Sequence, residues 1–244
     1  MTALRTLFHR LLIGIWLRPG AVRRVPIGGQ RGLKFELRGP LAQRISVFYR
    51  TYEKAVSAWL DAHVQPGMTI YVVGAHVGVH VLTIARRLQE TGRIIAFEGW
   101  PENFTHFQRN IALNTELNVK IEAVAACVAS ESGTIEMAEG AADGKHHIIR
   151  EGDTARIIEV PSVSLDDYYQ QHSGPPAVIL VDVEGYEADV LRGAAGLIAE
   201  HKPLLVLEHH DKADALRATL KKLGYTVTES PKHLYATPAL LQVH

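Results

Sequence analysis

The sequence predicts an α/β domain: a mostly parallel, twisted sheet with helices on both faces and an antiparallel strand pair at its C-terminal end. Three observations point there. From Met68 onward, short β-branched runs alternate with amphipathic helical stretches, as parallel strands joined by helical crossovers require. Polar residues gather just after the apolar runs, at Gly74–Gly78, Glu98, Asp182–Glu187 and Glu208–His210. Gly224 ends a helix and is followed by Tyr225–Thr228 and His233–Thr237, which suit an antiparallel pair.

The 244 residues suffice for one large domain with a smaller extension, and 47% hydrophobic with 21% charged residues is ordinary for a water-exposed globular chain. The net charge of zero hides an asymmetry. Residues 1–60 carry 11 Lys/Arg against 2 Asp/Glu, whereas residues 61–244 carry 15 against 24. We therefore divide the chain into a basic extension, 1–60, and a Rossmann-like body, 61–244. The acidic body excludes nucleic acid as its partner. The single cysteine, Cys127, rules out an internal disulfide and fits a reducing, cytoplasmic setting. Its apolar neighbours, Val124 to Val128, mark it as a core residue.

In the extension, Leu4, Leu7, Phe8, Leu11, Leu12, Ile15 and Trp16 recur at helical spacing, and Pro19-Gly20 stops the run. Leu11–Leu17 falls well short of the roughly 18 residues of a spanning helix. The pattern suits a helix docked on protein, through self-association or its own domain, or resting peripherally on an anionic membrane. Residues 25–40 alternate as a small β-ribbon, and Leu41–Val64 reads as a helix with Ile45, Phe48, Tyr52, Val56 and Trp59 on one stripe.

The body opens with a strand over Thr69–Val73 and a helix over Val79–Glu90. Arg93–Phe97 is the second strand, and Pro101 and Glu102 suit the first turn of the helix after it. Val119–Ala126 is the third strand. Thr134–Met137 and Ile148–Val160 read as short antiparallel strands around the polar loop Glu139–His147. Ser164 starts a short helix, Ala177–Val181 is the fourth strand, and one helix carries Val190, Leu191, Ala194, Leu197 and Ile198. Pro203–Leu207 is the fifth strand, and a helix runs from Ala213 to Leu223.

In an open parallel sheet the carboxyl ends of the strands share one rim, where ligands bind at the switch in strand order. Gly74-Ala75-His76-Val77-Gly78 predicts a tight strand–loop–helix turn that approaches a ligand with helix N–H groups facing it. Glu98 sits where an acid accepts both hydroxyls of a ribose, in dinucleotide and adenosyl sites alike. The GxxxG spacing is not the GxGxxG of a dinucleotide fold, which disfavours an NAD(P)-dependent oxidoreductase.

Gly74–Gly78, Phe97-Glu98, Pro101-Glu102-Asn103-Phe104, Asn110 through Asn114, Ser164–Asp167 and Asp182-Val183-Glu184-Gly185-Tyr186-Glu187 with Leu191-Arg192-Gly193 resemble the FkbM family of S-adenosylmethionine-dependent methyltransferases. Glu208-His209 and Tyr52-Glu53 are similar to that family too. The resemblance covers about residues 50–210. It implies a class I methyltransferase fold, S-adenosyl-L-methionine as cofactor, and methyl transfer to an oxygen of a sugar or another small hydroxylated acceptor. Cofactor-binding residues would be Gly74, Ala75, His76, Gly78, Glu98, Asn103, Val124, Ala125 and Asp182, with Tyr52 and Glu53 upstream. A base must take the acceptor proton, and Asp182, Glu184, His209 and His210 are candidates, with Glu187 and Glu208 orienting them. The same groups could hold a divalent ion, but the ligands would come from different strands, so no metal is assigned. The family's first loop usually reads Asp-x-Gly-Ala-Asn-x-Gly, and it tends to have Pro where Gly99 stands. Val72 replaces the acid and His76 the asparagine, which leaves a binding protein without methyl transfer as an alternative.

Overall fold

The computed structural model describes residues 16–26, 30–38, 44, 54–140, 146–149, 156–172, 174–209 and 212–239. The expected helix over residues 4–15, the first part of the Leu41–Val64 helix, Tyr52, Glu53 and His210 lie outside the described residues.

The chain enters the body through α1 (Lys54–His63) and reaches the first central strand, β3 (Thr69–Val73). Helix α2 (Val79–Leu88) returns to β4 (Arg93–Phe97), and α3 (Pro101–Ala112) returns to β5 (Lys120–Val124). After an insertion, α4 (Leu165–Gln171) leads to β10 (Val178–Val181). Two short helices, α5 (Glu187–Arg192) and α6 (Ala195–His201), lead to β11 (Leu204–Glu208). Helix α7 (Ala213–Lys222) precedes β12 (Tyr225–Glu229) and β13 (His233–Pro238). The seven-stranded sheet has the order β12-β13-β11-β10-β3-β4-β5. Its five central and edge strands from β11 to β5 are parallel, and β13 inserts antiparallel between β11 and β12.

Strict alternation sorts the two faces of this sheet. Tyr71, Val73, Ile95, Phe97, Ile179 and Val181 face one side, against α4 through α7. Ile70, Val72, Ile94, Ala96, Val178 and Leu180 face the other, against α1, α2 and Phe107 of α3. The strands are apolar on both faces because both are covered.

Two expectations need correction. The helix expected through Val190–Ile198 breaks at Gly193. A Cβ there would stand 2.1 Å from the Ala129 carbonyl oxygen, so the backbone is pressed onto the strand of Cys127–Val128 and turns before α6 begins. The strand expected over Ile148–Val160 is two strands, β8 (His147–Ile148) and β9 (Ile157–Val163). With β6 (Cys127–Val128) and β7 (Gly133–Ala138) they form a second sheet, order β6-β9-β7-β8.

The ribbon expected near residues 25–40 consists of β1 (Val22–Arg24) and β2 (Lys34–Glu36), paired antiparallel. Leu17, Val25, Leu33, Phe35 and Leu37 bury against Val79 and Leu82 of α2. Among the described residues the far edge of β2 has no neighbouring strand; side chains of α3 and of Asn114 just past it take that place. Asn114 accepts from Lys34 N at 2.8 Å and donates to Lys34 O at 2.8 Å. Asn110 accepts from Glu36 N at 2.9 Å, and His106 Nε2 lies 2.7 Å from Glu36 O. This i, i+4 ladder satisfies backbone groups that a lone ribbon edge would leave to water.

Candidate functional site

Strand order reverses between β3 and β10, and both strands end in polar loops. The two loops touch there. A Cβ on Gly74 (φ +86°) would meet the Asp182 carbonyl oxygen at 1.8 Å, so glycine is required twice over, by conformation and by space. Gly78 (φ +89°) has the Phe107 ring 2.6 Å from where its Cβ would be. His76 adopts φ +49°, a conformation that asparagine and histidine tolerate better than most residues, so the exchange of one for the other is compatible with this turn.

Four of the loop's five amides are taken up within the fold. Gly74 N and Ala75 N donate to Phe97 O at 3.0 and 2.8 Å, and Gly78 N donates to Ala75 O at 2.8 Å. His76 N donates to Glu98 Oε2 at 2.7 Å. The loop is thus held by its neighbours.

Glu98, at the end of β4, is buried. Its second oxygen accepts from Trp100 N at 2.9 Å, and Asn103 donates to the same carboxyl. Burial pushes the carboxyl up to about 7, and these three hydrogen bonds oppose the shift without cancelling it. Each oxygen retains acceptor capacity for a further donor. Val124, at the end of the neighbouring strand, meets the Glu98 backbone: Glu98 N donates to Val124 O at 3.1 Å, and Ala125 is exposed.

On the other side of the switch, Asp182, Glu184 and Glu208 place carboxylate oxygens within 4.8 Å of one another. Glu208 is buried at the end of β11, and Glu184 is held at φ +51°. These three form the set that could hold a hard divalent cation among the described residues. Glu187 is buried too, but its Oε1 accepts from Gly185 N at 2.9 Å, which ties its carboxyl to the loop's own backbone. Lys212 Nζ donates to Gly185 O at 3.1 Å from the opposite side. The His209 ring reaches toward the β12–β13 turn, with Nε2 at 3.3 Å from Ser230 O and 3.4 Å from Glu229 Oε1.

Trp100 was not among the residues singled out from sequence. Trp100 is buried two residues beyond Glu98, with His146 stacked on it at 3.9 Å and Arg156 over the ring at 5.6 Å. Arg156 also pairs with Glu102 at 2.9 Å, so the second sheet is fastened over the β4 end. The only sequence signal was an aromatic residue directly before Pro101. Asn110 donates to Val77 O at 2.8 Å, linking the glycine loop to the ribbon. Gly99 must be glycine here, since a Cβ would lie 2.2 Å from Cys127 Sγ.

Comparison with known proteins gives the same architecture. Residues 73–227 match the model of the methyltransferase FkbM domain. The hexuronic acid methyltransferase AglP of Haloferax volcanii is 27% identical over 150 residues, which is 59% of this chain and 57% of the relative. This chain therefore spans little more than half of that relative's length. The crystal structure of methyltransferase FkbM from Methylobacillus flagellatus KT superposes with a TM-score of 0.52 at 16% identity, covering 80% of this chain and 54% of that one. At that identity it speaks to the fold alone.

Proposed function

This chain belongs to the FkbM methyltransferase domain family, and from that premise we propose that it is an S-adenosylmethionine-dependent O-methyltransferase acting on a sugar-like hydroxyl. The observation that carries the reading is the charge of the rim. Glu98, Asp182, Glu184 and Glu208 bring carboxylates to strand ends whose glycine loop has few free amides. A dinucleotide pyrophosphate would meet repulsion there, whereas a ligand with a sulfonium and an ammonium meets compensating charge.

In this reading Glu98 accepts the ribose hydroxyls, with Asn103 and the His76 and Trp100 amides holding its carboxyl in place. Gly74, Ala75, His76 and Gly78 line the methionine end, Asp182 faces its ammonium, and Val124 and Ala125 flank the adenine. Tyr52 and Glu53 belong to the same set by resemblance. The bound cofactor supplies an electrophilic methyl group. The chain's own task is to align an acceptor hydroxyl and remove its proton. Asp182, Glu184 and Glu208 form the basic cluster for that proton, His209 and His210 follow Glu208 in sequence, and Glu187 keeps the loop in shape.

A hexuronic acid is the first acceptor to try, because a relative is named for one. Transfer of radiolabelled methyl from S-adenosylmethionine should be assayed over hexuronic acids, neutral sugars and polyols, with and without EDTA. Label in a sugar, lost on Glu98→Ala, is the expected result. Cofactor binding with no transfer to any acceptor would favour a binding protein, and tight NAD binding without cofactor response would favour an oxidoreductase.

A further inference from the structure

The sequence offers His209 and His210 as the histidines of the acidic rim, but the strand geometry selects a different one. Side chains alternate along a strand, so successive residues of β11 fall on opposite faces of the sheet. Val206 packs on the α1–α2 face and Leu207 on the other, which returns Glu208 to the α1–α2 face. His209 then leaves on the far side, where its ring meets Ser230 O and Glu229, the residue opposite Leu234 in β12. In β13, Tyr235 packs on the α1–α2 face and Leu234 on the other, so His233 shares the face of Glu208. The register sets Glu208 directly opposite His233. His209 N donates to Lys232 O at 2.7 Å, which puts the ladder bond just outside this pair. Glu208 and His233 are therefore a non-hydrogen-bonded pair, the kind whose side chains stand closer together. Both are buried, at 3% and 5% exposure.

We propose that His233 is a positioning residue for methyl transfer, donating a hydrogen bond to the Glu208 carboxylate and holding it in the rim cluster; this rests on the O-methyltransferase reading above. Asp182, Glu184 and Glu208 carry carboxylate oxygens within 4.8 Å of one another, and like charges that close repel. An imidazole N–H beside Glu208 offsets that repulsion and fixes which way the carboxylate turns. The ring has its own support. It lies 6.3 Å from the Tyr235 ring, which in turn stacks at 5.7 Å on Trp59 of α1. The turn before it is tied as well, with Ser230 N donating to His233 O at 2.8 Å. Held so, Glu208 takes the acceptor's hydroxyl proton as that oxygen bonds the methyl carbon and the carbon–sulfur electron pair stays on sulfur.

Two measurements on the full chain test this. In protein labelled on its histidine ring nitrogens, the NMR signals of His233 are identified by their loss in His233→Gln, and Glu208→Gln should shift them. Unmoved signals overturn the proposal, and this measurement needs no acceptor and no His233→Leu protein. In the radiolabelled transfer assay, with the sugar that takes label in the acceptor panel, His233→Leu should lower kcat at least about tenfold and leave KM for S-adenosylmethionine unchanged. His233→Asn and His233→Gln each keep a donor at the place of one ring nitrogen, and one of the two should restore most of the loss. A His233→Leu kcat equal to the parent's overturns the proposal, as does an equal loss in all three variants with S-adenosylmethionine binding intact. Transfer absent from the parent overturns the underlying reading and this role with it, a result distinct from transfer that persists in His233→Leu.

Discussion

Val72 occupies the position where related first loops carry an acid, and its surroundings decide what that exchange means. The side chain is fully buried, packed with Val56, Leu180 and Val206 on the α1–α2 face. A carboxylate there would be desolvated among aliphatic groups. Val72→Asp is therefore expected to destabilise the fold by roughly 3 kcal/mol or more, read from chemical denaturation, and not to tighten cofactor binding. Glu98 makes a pH-dependent prediction. Its carboxyl stands at about 7 in the folded protein against an ordinary 4.5, so between those values the folded chain keeps a proton that the unfolded chain has released. Stability consequently falls as pH rises from 4.5 to 7 and then levels, and Glu98→Gln removes that slope, worth up to about 3 kcal/mol. Affinity for S-adenosylmethionine should move the opposite way, rising through pH 7 as the ionised carboxylate becomes the better acceptor for hydroxyls. Titration calorimetry across pH 5.5 to 8.5, roughly spanning that ionisation, checks both parent and variant.

Helix α3 works as more than a crossover. One stripe of it, His106 and Asn110, with Asn114 just past its end, serves β2 as a neighbouring strand would, and Asn110 also holds Val77 in the glycine loop. Burial holds the His106 imidazole below its ordinary value, which keeps the ring neutral in this role. Asn110→Ala leaves the Glu36 amide and the Val77 carbonyl without their side-chain partner. We expect a loss of roughly 2–4 kcal/mol together with weaker cofactor binding, whereas a change on the exposed face of α3 should do neither. Thermal unfolding and a cofactor titration on the same variant separate the two effects. Asparagines spaced four apart are visible in sequence as one helical face. That this face serves a ribbon some 75 residues upstream is not, because a side-chain amide does not state which backbone it will meet.

For the whole molecule, Cys127 offers a direct probe. It is the single thiol of the chain, buried beneath Trp100 and Met137, and burial pushes its ionisation up to about 12, with the nearby Glu98 charge adding to the shift. Native protein should resist thiol reagents at neutral pH, and labelling should track global unfolding. Fast labelling of folded protein would mean that the second sheet opens on its own. The two sheets meet at this thiol: β6, which carries it, belongs to the second, and Gly99, just past β4, leaves its sulfur room.

The alternation of β-branched runs with helical stretches determined the strand sequence and the covered sheet, because burial on both faces leaves a local apolar signature in every strand. The polar clusters after those strands marked the rim in advance, as did the positions that must turn through positive φ. Three matters were decided only by tertiary structure. Three of the loop's amides are taken by Phe97 and Glu98, the helix expected to run through Gly193 breaks against Ala129, and Asp182, Glu184 and Glu208 converge while His209 turns toward the β12–β13 turn. Each depends on which distant backbone or side chain arrives at a given place. Local periodicity reports burial along the chain, and it carries no record of the partner that supplies it.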